Sequence, residues 1–312
     1  MDVLTEALNS MKTQVPTSVR TEGRAPWGLR LPPAAGAGFH VVLRGTCWLV
    51  PMDDTVRLEP FVLNPGDVVF LRNGPGHALA DHPSTPAHEE RPDQFHPDGP
   101  IGTVTVGGDG PRTTLLCGNY HLDQARPHPL VRQLPEVVHL STGLGHHPEL
   151  SAAVGLLAAE LENPRIGSAG IVPALIESLL LYILRAWFES QPAATATGWA
   201  AALTDPAVAP ALASLHEKPD AQWTVESLAR SAGLSRAAFA RRFTALVGEP
   251  PMAYLTRWRM TTAATLLRES EVPLTTVAAR TGYSSEYAFA KAFKREYGLA
   301  PGGYRRQSRS AA

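Results

Sequence analysis

Two cysteines, Cys47 and Cys117, are all that 312 residues contain. That is far too few for a secreted domain built on disulfides. The opening MDVLTEALNSMK has no basic stretch followed by an apolar core, so it does not read as a secretory leader. A long uncharged apolar run is missing as well. The most apolar stretch, Leu175 to Phe188, is interrupted by Glu177 and Arg185 and is too short and too charged to span a bilayer. Nor does the pattern hold paired catalytic carboxylates, a nucleophile with its base, or a complete metal triad. These absences point to a soluble, cytoplasmic protein that does not engage a membrane and is not an enzyme.

Charge is nearly balanced overall, at a formal −1, but it is unevenly spread. Residues 205–312 carry 15 Lys and Arg against 9 Asp and Glu, whereas residues 1–204 carry 13 against 20. An acidic front and a basic back imply that only the back meets a polyanion. The length suits two or three domains.

From Trp27 to about Asp123 the pattern is strand-like. Phe39–Leu43, Cys47–Val50, Asp67–Leu71 and Thr113–Cys117 are short apolar or β-branched segments bounded by Gly and Pro clusters, which implies a barrel or sandwich. Asp81 to Gly110, rich in Pro, His, Asp and Gly, reads as a long loop. The period turns helical from Pro148 to Glu189, with a break at Asn163-Pro164. The run Ile176, Leu179, Leu180, Ile183, Leu184 and Trp187 exceeds one exposed face and must be buried. A dimer interface is favoured over intrachain core, which stays open. Ser190 to Trp199 has the composition of an interdomain linker.

The last hundred residues contain an internal repeat. Leu228-Ala229, Gly233 and Ser235 precede Phe239, Phe243 and Gly248; Val277-Ala278, Gly282 and Ser285 precede Phe289, Phe293 and Gly298. Each unit is a short helix, a Gly-containing turn, a Ser N-cap and a second helix with an aromatic stripe on one face and basic residues on the other. That is the pattern of a DNA-reading helix-turn-helix. Pro251 to Ser270 reads as a helix of roughly 18 residues, hence about 27 Å long. Such a spacer holds two reading helices near one DNA turn apart, about 34 Å, so that one chain enters successive major grooves.

The segment Gly282-Tyr-Ser-Ser285-Glu-Tyr-Ala-Phe289-Ala-Lys291-Ala-Phe293-Lys294-Arg295-Glu-Tyr297-Gly298, closed by Pro301-x-x-Tyr304-Arg305, resembles the AraC/XylS family of transcription regulators. Lys291 departs from the family's usual Arg and Ala300 from its common Ser. By position in the motif, the resemblance implies that Arg236, Ala237, Ala240 and Arg241 of the first reading helix face double-stranded DNA. Ser285, Glu286, Tyr287, Ala288 and Lys291 do so in the second. Arg241 is the candidate for guanine and Glu286 for cytosine N4. Arg242, Lys294, Arg295, Arg305 and Arg306 are candidates for phosphate contact or solubilising charge. A Lys at 291 lacks the planar fork of Arg, so base reading there should differ.

The front resembles the cupin-type sensor barrels of bacterial regulators, on Phe39-His40-x-Val42-x-x-Gly45, Leu63-x-Pro65-Gly66-Asp67-Val68-Val69 and Gly76-His77. The combined resemblance implies an α+β multidomain fold: a cupin-like effector domain over 1–142, a helical hairpin for dimerisation over 143–190, a linker over 191–204 and a DNA-binding domain over 205–312. It also implies a small organic effector, a homodimer and contact with RNA polymerase. Trp27, His40, Trp48, His77 and Tyr120 are the candidate effector liners. His40, His77 and Cys117 are candidate metal ligands whose chemistry suits zinc or copper. The early His-x-His pair of metal cupins is incomplete, because residue 42 is Val. His82, His88, His96 and His146-His147 sit in loops and carry less weight. Cys47 and Cys117 offer a redox alternative, against the reading of both as apolar fillers. The competing function is a cupin metalloenzyme with an accessory DNA-binding domain.

Overall fold

The computed structural model describes residues 2–34, 36–52, 58–89, 92–122, 128–141, 146–191 and 198–310. Part of the expected linker, 192–197, lies outside the described residues. The chain forms two compact units, one of Thr13–Gln124 with Leu134–Ser190, the other of Met1–Lys12, Ala125–Gln133 and Gln191–Ala312.

The first unit is the cupin-like barrel. Its strands are β1 (Thr17–Arg24), β2 (Gly28–Leu31), β3 (Ala37–Arg44), β4 (Cys47–Pro51), β5 (Phe61–Leu63), β6 (Val68–Leu71), β7 (His77–Ala80), β8 (His88–Glu89), β9 (Phe95–His96), β10 (Gly102–Gly107), β11 (Arg112–Tyr120) and β12 (Val137–Leu140). They make a seven-stranded sheet in the order β12-β6-β3-β11-β1-β10-β9 and a five-stranded sheet in the order β5-β4-β7-β2-β8. The stretch from Asp81 to Gly110 is therefore not a loop throughout. Its GTVTVG segment is β10, which runs parallel to β1 with Val104 and Val106 turned into the core. Alternation across a sparse, Gly-rich background was the strand signal there.

Period-two geometry explains the apolar strands. Val42 on β3, Val69 and Leu71 on β6, and Leu115 and Cys117 on β11 face the space between the sheets. Phe39, Val41, Val68, Phe70, Leu116 and Tyr120 alternate with them and are buried on the other face of the larger sheet. That face is covered by α3 (Pro148–Glu162) and α4 (Ser168–Ser190), which pack on each other and on β3 and β12. Covered on both faces, these strands read as continuous apolar runs. The helical hairpin thus spends Ile176, Leu179, Leu180, Ile183 and Leu184 on intrachain core. This corrects the preference for a dimer interface on that run. At 23 residues α4 is also long and apolar enough to cross a membrane by composition alone. What sets it apart from a free span is this packing, together with the Tyr120 hydroxyl, which donates to the Ile176 carbonyl at 2.8 Å.

The second unit is helical. It holds α1 (Val3–Met11), α2 (Pro129–Gln133), α5 (Gly198–Ala202), α6 (Val208–Glu217), α7 (Val225–Ser231), α8 (Arg236–Val247), α9 (Pro251–Glu269), α10 (Leu274–Arg280), α11 (Glu286–Tyr297) and α12 (Pro301–Ser310). α1 and α2 come from the stretch assigned above to the sensor domain, yet α1 packs on α6 and α9, and α2 on α5. The reason is apolar spacing: Val3, Ala7, Leu8 and Met11 lie on one face of α1 and are buried, and Asp2 caps the helix. α9 has 19 residues, about 28 Å at 1.5 Å per residue. It packs on α8, α10 and α11. The second helix pair closes its core with Met260, Leu267, Val277, Phe289 and Phe293, backed by Tyr297 and Tyr304.

Candidate functional site

The two reading helices are built alike. Ser235 caps α8 by accepting from the Ala238 amide at 3.3 Å, and Ser285 caps α11 by accepting from the Ala288 amide at 3.2 Å. Gly248 and Gly298 end them in the left-handed region, at φ of 90° and 74°. The turn glycines Gly233 and Gly282 have φ of +67° and +75°, which a side chain resists. Phe239, Phe243, Phe289 and Phe293 are fully buried, which commits one face of each helix to core. The opposite faces are left open: Arg236, Ala237 and Arg241 on α8, with Ala240 half-buried, and Glu286, Tyr287, Ala288, Lys291, Lys294 and Arg295 on α11. Tyr287 is 79% exposed, a large aromatic held out in water.

Two of the basic candidates are tied down. Arg242 pairs with Asp205, with Nε at 2.7 Å and Nη2 at 2.6 Å from Oδ2. Asp205 in turn accepts from the amides of Ala207 and Val208, so Arg242 clamps α8 to the start of α6. Arg305 donates to the Val272 carbonyl at 2.7 Å. Sequence position alone put both with the solvent-facing charges. It also missed Arg259 on α9, which donates to the carbonyls of Pro219 and Ala221 at 2.6 and 2.9 Å. That guanidinium fills the space beside Gly282, where a Cβ would come within 2.7 Å of it.

Beneath the first reading helix lies a buried polar chain. His216 stacks on Trp258 with ring centroids 3.7 Å apart, and its Nε2 is 2.5 Å from the Tyr254 hydroxyl. Glu6 of α1 sits 3.4 Å from His216 Nδ1, and His128 Nε2 is 3.5 Å from the Tyr254 hydroxyl. His128 Nδ1 also accepts from the Leu130 amide at the start of α2. Burial, reinforced by Arg257, holds His216 at a pKa of about 3, and burial holds His128 well below the usual histidine range. Both rings are neutral. Segments from three parts of the chain therefore meet in one core.

In the barrel, a cavity of about 320 Å³ opens along the ends of β1, β3 and β11, walled by Thr17–Val19, Leu31, Gly38, His40, His77 and Cys117–Asn119 among others. Of the five effector candidates, His40 and His77 line it. Tyr120 is three residues from Cys117 and so on the opposite face of β11, packed on Phe39 under the hairpin. Trp48, between the buried Cys47 and Leu49, points outward to His82. Trp27 is core, its ring lying over Gly23. Strand parity was the signal that separates these residues.

His77 Nδ1 donates to the Pro75 carbonyl at 2.7 Å, so its Nε2 is an acceptor. His40 Nε2 then donates to it across 2.7 Å, which leaves His40 Nδ1 as a buried acceptor without a partner. Burial lowers both pKa values, with His77 adding to the effect at His40 and the Pro75 bond opposing it at His77. Two nitrogens bound to one tetrahedral zinc at about 2.0–2.1 Å would stand about 3.3 Å apart. Cys117 is the register partner of His40, but no group of three His, Cys, Asp or Glu is gathered among the described residues. The residues present do not fit a metal centre, and the expected set of His40, His77 and Cys117 is corrected to a hydrogen-bonded histidine pair. Burial pushes the Cys117 thiol up to about 12, with the Thr21 hydroxyl opposing it, and pushes Cys47 higher still. Both thiols are protonated apolar fillers, not a reactive pair.

A cupin family model matches residues 2–189, and a helix-turn-helix domain model matches residues 228–307. A putative AraC-like transcription regulator of Streptomyces lividans is 34% identical over 307 residues, covering 98% of both chains. The chain belongs to the AraC family. The HTH-type transcriptional regulator MtrA of Neisseria gonorrhoeae is 30% identical over 308 residues, covering 98% of this chain and 99% of its own. Among solved structures, the DNA-binding domain of AdpA in complex with a target DNA is 36% identical, covering 34% of this chain and 96% of its own, at a TM-score of 0.33. As an AraC-family member with an N-terminal cupin domain, this is a DNA-binding transcription regulator.

Proposed function

We propose that this AraC-family regulator is sequence-specific and effector-controlled, with α8 and α11 entering successive major grooves of double-stranded DNA. The observation that carries the reading is the duplicated geometry: two Ser-capped helices on one 19-residue spacer, each with a buried aromatic stripe behind an open face. Arg241 is assigned to a guanine, Glu286 to a cytosine amine, and Tyr287 and Lys291 to neighbouring positions. Arg236, Lys294 and Arg295 are assigned to phosphates. The barrel cavity receives the effector. Its walls include the ends of β1 and β11, the strands whose continuations, residues 1–12 and 125–133, belong to the DNA-binding unit. Occupancy changes DNA affinity by favouring one arrangement of these strand ends.

The working form is a cytoplasmic homodimer that acts with RNA polymerase. Leu156 on α3 and Ile171 on α4 support the dimer, being 57% and 44% exposed on a hairpin whose other side is core. Sedimentation of Leu156→Asp tests it; an unchanged mass in solution, against a dimeric parent, removes this face from the interface. Selection of bound sequences from a random duplex pool tests the reading as a whole. Two conserved half-sites one turn apart are expected, and a pool without sequence enrichment would overturn it.

A further inference from the structure

The cavity's lining points to the class of molecule it holds. We propose that it takes an uncharged, largely apolar molecule, an inference that rests on the effector reading of this cavity. Its volume of about 320 Å³ is at the small end of ligand pockets and suits about ten to fifteen non-hydrogen atoms at interior packing density.

The first argument is charge. No Lys, Arg, Asp or Glu is among the described lining residues. A carboxylate or an ammonium entering the cavity would give up its water without gaining a counter-ion, which strongly disfavours both. The histidine pair does not substitute for a counter-ion. Burial lowers the pKa of both rings, so the pair joined at 2.7 Å stays neutral and offers no standing positive charge.

The second argument is hydrogen-bond polarity. His77 Nδ1 is committed to the Pro75 carbonyl and His40 Nε2 to His77 Nε2, so the pair spends both its N–H groups within the fold. His40 Nδ1 is itself enclosed, so the pair presents no free N–H to a ligand. An acceptor-only anion therefore finds no imidazole N–H to pair with. The rest of the wall is mostly carbon: Val19, Leu31, Pro32 and Ala34 are among its side chains.

The test compares three near-isosteric probes on the full chain at neutral pH by calorimetry and thermal shift: 2-phenylethanol, phenylacetate and phenethylamine. The alcohol should bind saturably and about tenfold or more tightly than either ion, the difference set by uncompensated desolvation. Ala34 is an exposed part of the wall, so Ala34→Phe leaves the fold intact while filling the opening, and it should weaken the alcohol by about tenfold or more. Equal or tighter binding of phenylacetate or phenethylamine overturns the proposal. So does alcohol binding untouched by Ala34→Phe, or the absence of any saturable binding by 2-phenylethanol, 4-ethylphenol and 1-octanol. DNA affinity measured with and without the alcohol separates the two readings. Alcohol bound in the cavity with DNA affinity unchanged supports the ligand class and removes the effector role. A charged probe that binds there and shifts DNA affinity keeps the effector role and removes the ligand class.

Discussion

Arg241 and Arg242 are neighbours with different work. Arg241 stands exposed on the open face of α8, while Arg242 is held by the Asp205 carboxylate. Arg241→Ala should cost about 1–3 kcal/mol of operator affinity and relax preference at one base pair, as read by a binding selection. Arg242→Ala should act first on stability, lowering the melting temperature and leaving base preference unchanged. The Asp205 end of this contact carries a pH signature. Burial pushes its carboxyl up, but the Arg242 bond and the amides of Val208 and Ala207 outweigh it and hold the pKa below the ordinary value. The stabilisation is therefore complete above the unfolded pKa of about 4 and is lost as pH falls through the lower folded value. Asp205→Asn keeps a capping oxygen but loses the ion pair with Arg242, so it should destabilise by up to about 1 kcal/mol at neutral pH, and its gap to the parent should close in strong acid. At this scale residue type and motif position were enough to choose Arg241, but not to see that Arg242 has a partner 37 residues away.

At the scale of elements, the matched helix pairs are local structures, and local rules decide them. The Ser caps, the left-handed glycines and the four-residue aromatic spacing are each set within a dozen residues, which is why both units were legible. α1 is the opposite case. Its apolar face is visible in the sequence, but the helix could not be assigned a home by proximity along the chain. It packs on α6 and α9, more than two hundred residues downstream, where Leu8 is 1% exposed. Leu8→Ala should destabilise the DNA-binding unit by about 2–5 kcal/mol in denaturant titration, a loss without cause if residues 1–12 belonged to the barrel alone. Within the barrel, Tyr120→Phe removes the hydroxyl that holds the Ile176 carbonyl. It should cost about 1 kcal/mol of barrel stability, without weakening ligands in a cavity on the other side of the strand.

For the molecule as a whole, the buried histidines set the acid limit. His40, His77, His128 and His216 all have folded pKa values below the ordinary 6.5, burial being the leading cause in each. The unfolded chain takes up protons below about pH 6.5 that the folded chain refuses. Stability should therefore hold above that pH and fall as the solution is acidified, for His216 down to its folded value of about 3. Both units carry such residues, so both should show the loss in denaturant titrations at stepped pH. A stability that stayed flat from pH 7 to about pH 4 would contradict the neutral assignment of these rings.

The sequence by itself determined the family, the cupin-plus-helical architecture and the two reading helices with their outward residues. The family, the cupin assignment and the outward residues came from motif resemblance, while the helix pairs follow from short-range periodicity, capping and turn chemistry. Only the tertiary structure decided which barrel residues share a cavity, because one strand sends Cys117 inward and Tyr120 outward, and the partner strands determine which face is which. It also decided that His40 and His77 form a hydrogen-bonded pair, that the apolar hairpin is spent on the barrel, and that the first twelve residues help build the DNA-binding core. In each case the deciding contact is between residues far apart in the chain, where spacing along the sequence carries no information about who the neighbour is.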